Sequence, residues 1–286
     1  LSDKKAGHLR QAEGLIKGLS EYLSISNTVI DIERFIPKNL DLFRSKKPDL
    51  IIGAGNKTQL MLAMLGKLYS VKTIYIMKPT FPTSWFNICI VPNHDKVKAT
   101  NNILLTEGPI NPMPCCKNKI KNKGLILIGG DSKHYLWENE KIIKYIKSII
   151  SKYPKIHWTI SDSRRTPKSI EKSLKLLEGN HALVEYISFK SVSNEWLLHN
   201  LKESTFACIS ADSISMIYEA ITSGCQVGVL PLNKKKFTKV NLKIEQLIKN
   251  GWVCLPYEQP WSSSRELNES KRCASIVVDR LELINS

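Results

Sequence analysis

No apolar run in the chain approaches the roughly 18 residues that a bilayer crossing needs, and no leader with a basic start and an apolar middle opens it. The expectation is a soluble or peripheral protein, cytoplasmic or resting on the inner face of the cytoplasmic membrane. There is no C-x-x-C pair among the seven cysteines, and Cys208, Cys225 and Cys254 sit in apolar, strand-like runs. Reduced, mostly buried thiols are therefore expected, with neither a metal cage nor a disulfide frame. No D-x-D carboxylate pair is present to hold a divalent ion on a diphosphate, so neither metal nor cofactor is expected. The lack of a G-x-S-x-G elbow argues against serine-hydrolase chemistry. Without G-x-x-x-x-G-K-[ST] or G-x-G-x-x-G, neither a P-loop nor a nicotinamide fingerprint is supported. Arginine-aromatic patches are also missing, so no nucleic-acid partner is expected.

What the chain does have is positive charge: 42 Lys+Arg against 26 Asp+Glu give +16 over 286 residues. The excess is mostly lysine dispersed among Ile and Asn. It reads either as a solvated surface or as attraction to an anionic membrane face or an acidic acceptor. A hydrophobic fraction of 42% with 24% charged residues suits a globular chain with a substantial core.

The pattern alternates strands and helices. Leu1-Ser2-Asp3 looks like the end of a strand whose beginning is absent, followed by a helix through Gln11, Leu15 and Leu19. Strands are expected at 28–32, 49–52, 72–77, 88–91 and 103–106, with helices at 40–45 and 58–68. Periodicity disappears over 111–124, which reads as a linker. Strands at 125–128, 156–160, 206–210 and 226–230 then alternate with helices at 139–152, 168–177 and 213–223, with a weaker region over 182–202. Apolar strands alternating with helices imply parallel sheets covered on both faces. The expected fold is two Rossmann-like doubly wound α/β domains facing a cleft, an acceptor-side domain over 1–115 and a nucleotide-sugar domain over 116–286, the last helix packing back on the first.

Ligands of such sheets bind at the carboxyl ends of strands. Gly53-Ala54-Gly55-Asn56-Lys57-Thr58 is one such turn, a cleft lining or a purely structural turn. Gly129-Gly130-Asp131-Ser132 would let a ligand approach the backbone. Ser163-Arg164-Arg165-Thr166 offers two guanidinium forks and is the best diphosphate clamp in the chain, or an ordinary capped helix start. Asp212-Ser213-Ile214-Ser215-Met216 opens a helix with Glu219 further along, placed to accept hydrogen bonds from ribose hydroxyls or incidental to the surface. His8 is a candidate general base, with Asp3, Asp95, Glu107 and His94 as competitors. Lys5, Gly7, Lys57, Thr58 and Lys78 complete the candidate acceptor side.

The motifs Asp3-Lys4-Lys5-Ala6-Gly7-His8, Gly53-Ala54-Gly55-x-Lys57-Thr58, Met77-Lys78-Pro79, Val91-Pro92-x-His94-Asp95, Thr106-Glu107-Gly108-Pro109, Gly129-Gly130-Asp131-Ser132-Lys133-His134, Ser163-Arg164-Arg165-Thr166-Pro167 and Asp212-Ser213-x-Ser215-Met216-x-x-Glu219-Ala220 occur in this order. Together, from residue 2 to about 232, they resemble the mitochondrial-fission (elongated-mitochondria) family, whose bacterial members are described as predicted GT-B glycosyltransferases. More distantly, the 213–224 segment and the Gly-His turn are similar to the lipid-linked glycosyltransferase of peptidoglycan synthesis. That resemblance implies donor binding in the second domain with Glu219 on the nucleotide ribose, and the Gly-His turn at the reaction centre. It implies a nucleotide-sugar donor and a glycan or glycolipid acceptor such as a lipopolysaccharide core. A non-catalytic, membrane-peripheral interaction protein and a sugar-nucleotide epimerase on the same fold remain alternatives.

Overall fold

A computed structural model describes residues 1–34, 37–258, 261 and 266–283. It divides into two compact units, Leu1–Pro112 with Asn268–Ser286, and Met113–Leu267. The expected boundary at 115/116 falls three residues later than this division, and the last helix belongs to the first unit. That helix, α9 (Glu269–Leu281), lays Ala274, Val277 and Val278 against Leu15 and Leu19 of α1 (Ala6–Leu19). Ser270 also donates its hydroxyl proton to the carbonyl of Asn111. Burial of that apolar stripe is what returns the chain to the first unit.

The first unit holds a parallel sheet of β1 (Leu50–Ala54), β2 (Lys72–Ile76), β3 (Ile88–Pro92) and β4 (Ile103–Thr106), in that order. Residues alternate between two cores. Ile74, Ile76, Ile88 and Ile90 join the α1–α9 side. Tyr75, Cys89 and Val91 join the side of α2 (Pro37–Ser45) and α3 (Gln59–Tyr69). Each strand reads as a continuous apolar run because both faces are covered.

On the far side of β1 lie residues 1–3. The nitrogen of Leu1 donates to the carbonyl of Ile52 at 2.6 Å, and Ser2 N–H donates to Ile30 at 2.9 Å. The strand expected at 28–32 is reduced to a single parallel bridge between Ser2 and Asp31. Its partner turns away at Lys4, whose φ of 60° ends the extended stretch. The chain thus goes one way from residues 1–3 to 30–32, and the other way from β1 to β4.

The second unit is a five-stranded parallel sheet ordered β7-β6-β5-β8-β9, from β5 (Ile120–Leu127), β6 (His157–Ser161), β7 (Val184–Ile187), β8 (Ser204–Ser210) and β9 (Gln226–Leu230). Helices α4 (Asn139–Lys152), α5 (Glu171–Asn180), α6 (Asn194–Glu203), α7 (Ile214–Thr222) and α8 (Lys239–Lys249) connect and cover it. The expected linker overlaps β5, which begins at Ile120 and pairs Ile120 with Ser204 before a register shift to Gly124 and Phe206. Its first half is exposed and polar, so it lacks the apolar signature of a buried strand. Lys123 is pinned there by Glu203 at 2.6 Å. Helix α8, which the sequence reading did not place, is started by a capping box between Thr238 and Asn241.

Candidate functional site

Strand order decides where each unit can bind. In open α/β sheets the crevice forms where the order reverses direction, at the carboxyl ends of the two diverging strands. In the first unit this is between residues 1–3 and β1, and in the second between β5 and β8.

At the first switch point the carboxylate of Asp3, whose side chain is 1% exposed, meets the imidazole of His8 with Nδ1 3.0 Å from each oxygen. Lys5 N–H donates to the same carboxylate at 3.2 Å, which holds its plane as α1 begins. Gly55, directly after β1, closes the other side. A Cβ there would stand 2.2 Å from His8 Nδ1 and 2.6 Å from an Asp3 oxygen, and its φ of 94° is one that residues with a side chain rarely adopt. With Nδ1–H donated to Asp3, Nε2 carries the lone pair. A buried carboxylate orienting a partly exposed imidazole is an arrangement able to accept a proton at Nε2.

The other candidates of this unit lie in or beside the turns that follow its strands, with different roles. Thr58 is fully buried and donates its hydroxyl to the Gly55 carbonyl at 2.8 Å, so it builds the turn and is closed to a ligand. Gly53 lies inside β1 against Leu62 and Thr58, again a packing position. Lys57 is exposed and paired with Glu33 at 2.5 Å, a partner that had no signal in the sequence. Lys78 reaches the Asp95 carbonyl at 3.4 Å, and exposed Glu107 accepts from Asn93 at 2.7 Å. Gly7 is exposed in the first turn of α1. The side chain of His94 lies outside the described residues.

At the second switch point the buried carboxylate of Asp212 gathers four donors. Gly130 N–H (3.2 Å), Ser213 Oγ (3.2 Å) and the Arg165 guanidinium (2.8 Å) reach one oxygen, and Ser210 Oγ reaches the other at 2.6 Å. Ser210 also accepts Gly129 N–H at 2.7 Å, tying the end of β8 to the end of β5. The glycines are obligatory: a Cβ on Gly129 would lie 2.0 Å from Asp212, and one on Gly130 2.0 Å from the Arg165 carbonyl. Ser163 and Thr166 donate their hydroxyls to the Gly129 carbonyl, folding the arginine turn over the glycine loop.

This alters the expected clamp. Arg165 is already held by Asp212 and by Ser213 Oγ at 3.2 Å, so one guanidinium of the pair is structural. Arg164 is exposed and makes no ion pair among the described residues, which leaves its fork available. Asp131 is exposed and paired with Lys235 at 2.8 Å, and that lysine holds its carboxyl below the usual carboxylate range. Ser132 accepts the N–H groups of His134 and Tyr135, shaping the loop. Along α7, Ser215 is exposed, Met216 half-buried and Glu219 only 7% exposed. Sequence reasoning left out Lys235, which is hidden in a run of three lysines.

The chain can now be set beside known proteins. Protein RP120 of Rickettsia prowazekii (strain Madrid E), itself uncharacterized, is 24% identical over 353 aligned positions that span all of this chain and 99% of that one. Among solved structures, UDP-GlcNAc 2-epimerase from Neisseria meningitidis bound to UDP-GlcNAc superimposes with a TM-score of 0.59 at 12% identity, over 98% of this chain and 97% of that one. MurG of Acinetobacter baumannii gives 0.54 at 11% identity over 98% and 97%. At such identities the likeness speaks for the fold, which is GT-B. A family model described as mitochondrial fission ELM1 matches residues 6–281. With the ordered turn motifs on two parallel sheets and a match over nearly its whole length, the chain belongs to the mitochondrial fission ELM1 family.

Proposed function

We propose that the protein is a metal-independent glycosyltransferase that moves a sugar from a nucleotide-sugar donor to a hydroxyl of a cell-envelope glycan, such as a lipopolysaccharide core. The observation that carries this reading is the Asp3–His8 pair at a strand-end switch point, with Gly55 making room for it. Asp3 fixes the tautomer, and His8 Nε2 takes the proton of the acceptor hydroxyl. The freed oxygen attacks the anomeric carbon as the bond to the diphosphate breaks, and the nucleoside diphosphate leaves with that electron pair.

In the second unit, the free fork of Arg164 and the N–H groups at the start of α7 stabilise the growing charge on the diphosphate. Such preorganised stabilisation is the largest catalytic contribution in many enzymes. Glu219 accepts the ribose hydroxyls in this reading. UDP-N-acetylhexosamines are the first donors to try, because a structural neighbour is bound to UDP-GlcNAc. The positive charge of the chain favours an anionic acceptor.

The test is a thermal-shift screen of nucleotide sugars, paired with donor turnover. A cognate donor raises the wild-type Tm, Arg164→Ala abolishes the rise, and His8→Ala keeps the rise but loses transfer. If no nucleotide sugar stabilises the wild type, the donor assignment fails. Isotope exchange at the sugar ring of the donor in the absence of acceptor would replace transfer with epimerisation.

A further inference from the structure

The outer side of α3 carries an apolar line where a surface helix ordinarily carries charge. Leu60, Met64 and Leu68 recur at i, i+4 and i+8 and are 52%, 62% and 71% exposed, while Leu62 and Leu65 of the same helix are buried in the core. Lys67 is the only charged residue in the helix. Gln59, in the first turn, accepts the N–H groups of Thr80 and Phe81 at 2.8 and 3.3 Å. This ties to α3 a loop in which Phe81 and Trp85 stack with centroids 5.0 Å apart, and Trp85 is 46% exposed.

The stretch of chain that carries this face is free of acidic residues. Between Asp49 and Asp95 the chain contains Lys57, Lys67, Lys72 and Lys78 and not one acidic residue. Glu33 pairs with Lys57, and on α2, whose Phe43 stacks on Tyr69 of α3, Asp41 pairs with Arg44, which leaves Lys67 and Lys72 as the cations beside the apolar line. The complement of an apolar line rimmed with lysine is a surface that is anionic outside and apolar beneath. At 11 residues α3 is about 16 Å long, roughly half the hydrocarbon thickness of a bilayer, so it would lie in the interface plane.

We propose that this face of α3, extended by Trp85, docks in plane on an anionic lipid surface. Leu60, Met64 and Leu68 enter the boundary between headgroups and acyl chains, and Lys67 and Lys72 pair with the headgroups. The assignment is independent of the glycosyl-transfer reading, since it uses none of the strand-end residues.

The experiment is co-sedimentation of the whole protein with vesicles of phosphatidylcholine, alone or mixed with phosphatidylglycerol. Wild type is expected to bind the mixed vesicles, to bind them less in high salt, and to ignore the neutral ones. Leu60→Ser with Met64→Ser and Leu68→Ser should weaken binding about tenfold or more. Should that triple variant not fold, Lys67→Glu with Lys72→Glu, both exposed, should lose anionic-vesicle binding at unchanged Tm. No binding by wild type, equal binding to neutral vesicles, or full binding by the charge-reversed variant overturns the proposal. So does light scattering that shows a dimer dissolved by the triple substitution, which would give the face to a second copy of the chain.

Discussion

His8 Nδ1 stands 3.0 Å from both carboxylate oxygens of Asp3, five residues earlier in the chain and 1% exposed. The two residues leave opposite sides of a left-handed turn at Lys4, so the pair is produced by the entry into α1. An amide in place of the carboxylate could present its NH2 to Nδ1 and favour the wrong tautomer. Asp3→Asn is therefore expected to lower the transfer rate about a hundredfold or more while leaving donor-induced stabilisation unchanged. Steady-state rates and thermal shifts on the same preparation decide this, and equal rates would remove His8 from the base role.

Gly55 has φ 94° and ψ 151°, a conformation essentially reserved for glycine. Gly55→Ala should cost about 1–3 kcal/mol in backbone strain alone, before the displacement of His8. Chemical denaturation measures the first effect, and the rate of transfer the second. A variant as stable and as active as wild type would contradict the close approach of Gly55 to the dyad.

Removing Asp212 strands four donors at once, one of them a guanidinium. Asp212→Ala should destabilise the protein by about 2–3 kcal/mol and weaken donor stabilisation, because the Gly129-Gly130 loop and the arginine turn lose their common anchor. Asp212→Asn should retain part of the network and lie between the two. A urea midpoint unchanged in Asp212→Ala would show that the knot carries no stability.

The Lys123–Glu203 pair gives a pH signature. The hydrogen bond from Lys123 holds the Glu203 carboxyl below the usual carboxylate range. A lowered folded-state pKa contributes stability above the unfolded value, near 4.3, and that contribution disappears as pH falls through the folded value. The difference in urea midpoint between wild type and Lys123→Met should be present at neutral pH and vanish in acid. A difference that grows on acidification would refute the pairing.

Thiol reactivity should separate two classes. Burial pushes the Cys89 and Cys273 thiols up to about 12, and raises Cys208 and Cys225 as well. Cys115 and Cys116 are only half-buried. At pH 8 a disulfide reagent should label at most these two rapidly, and the buried five only after unfolding. Mass mapping after brief labelling checks the order.

Much of this molecule is legible locally. The Ile-rich runs at 74–76, 88–91 and 125–128, each ending in Gly, Pro or Asn-type turns, specify strands, and amphipathic segments such as 139–152 specify helices. Where local signals mislead, the cause is a neighbour. Polar 120–123 is a strand because Ser204 and Glu203 pair with it, and apolar 28–32 is not one because its partner turns away at Lys4. At the site, the small-residue turns were identifiable, but Thr58 reads as a ligand until its burial is seen, and Arg165 as a clamp until Asp212 is found beside it.

The sequence by itself determined the α/β alternation, the two parallel sheets and the identity of the strand-end turns, because backbone periodicity and turn chemistry are set by residues a few positions apart. Only the tertiary structure decided which turns meet. His8 is joined by Gly55, Gly130 by Asp212, and α9 by α1, through a strand order and an apolar burial that no local pattern encodes. The division of labour between the strand ends is in that sense a property of the sheets, since long-range packing chooses, among chemically similar turns, the ones whose side chains come within bonding distance.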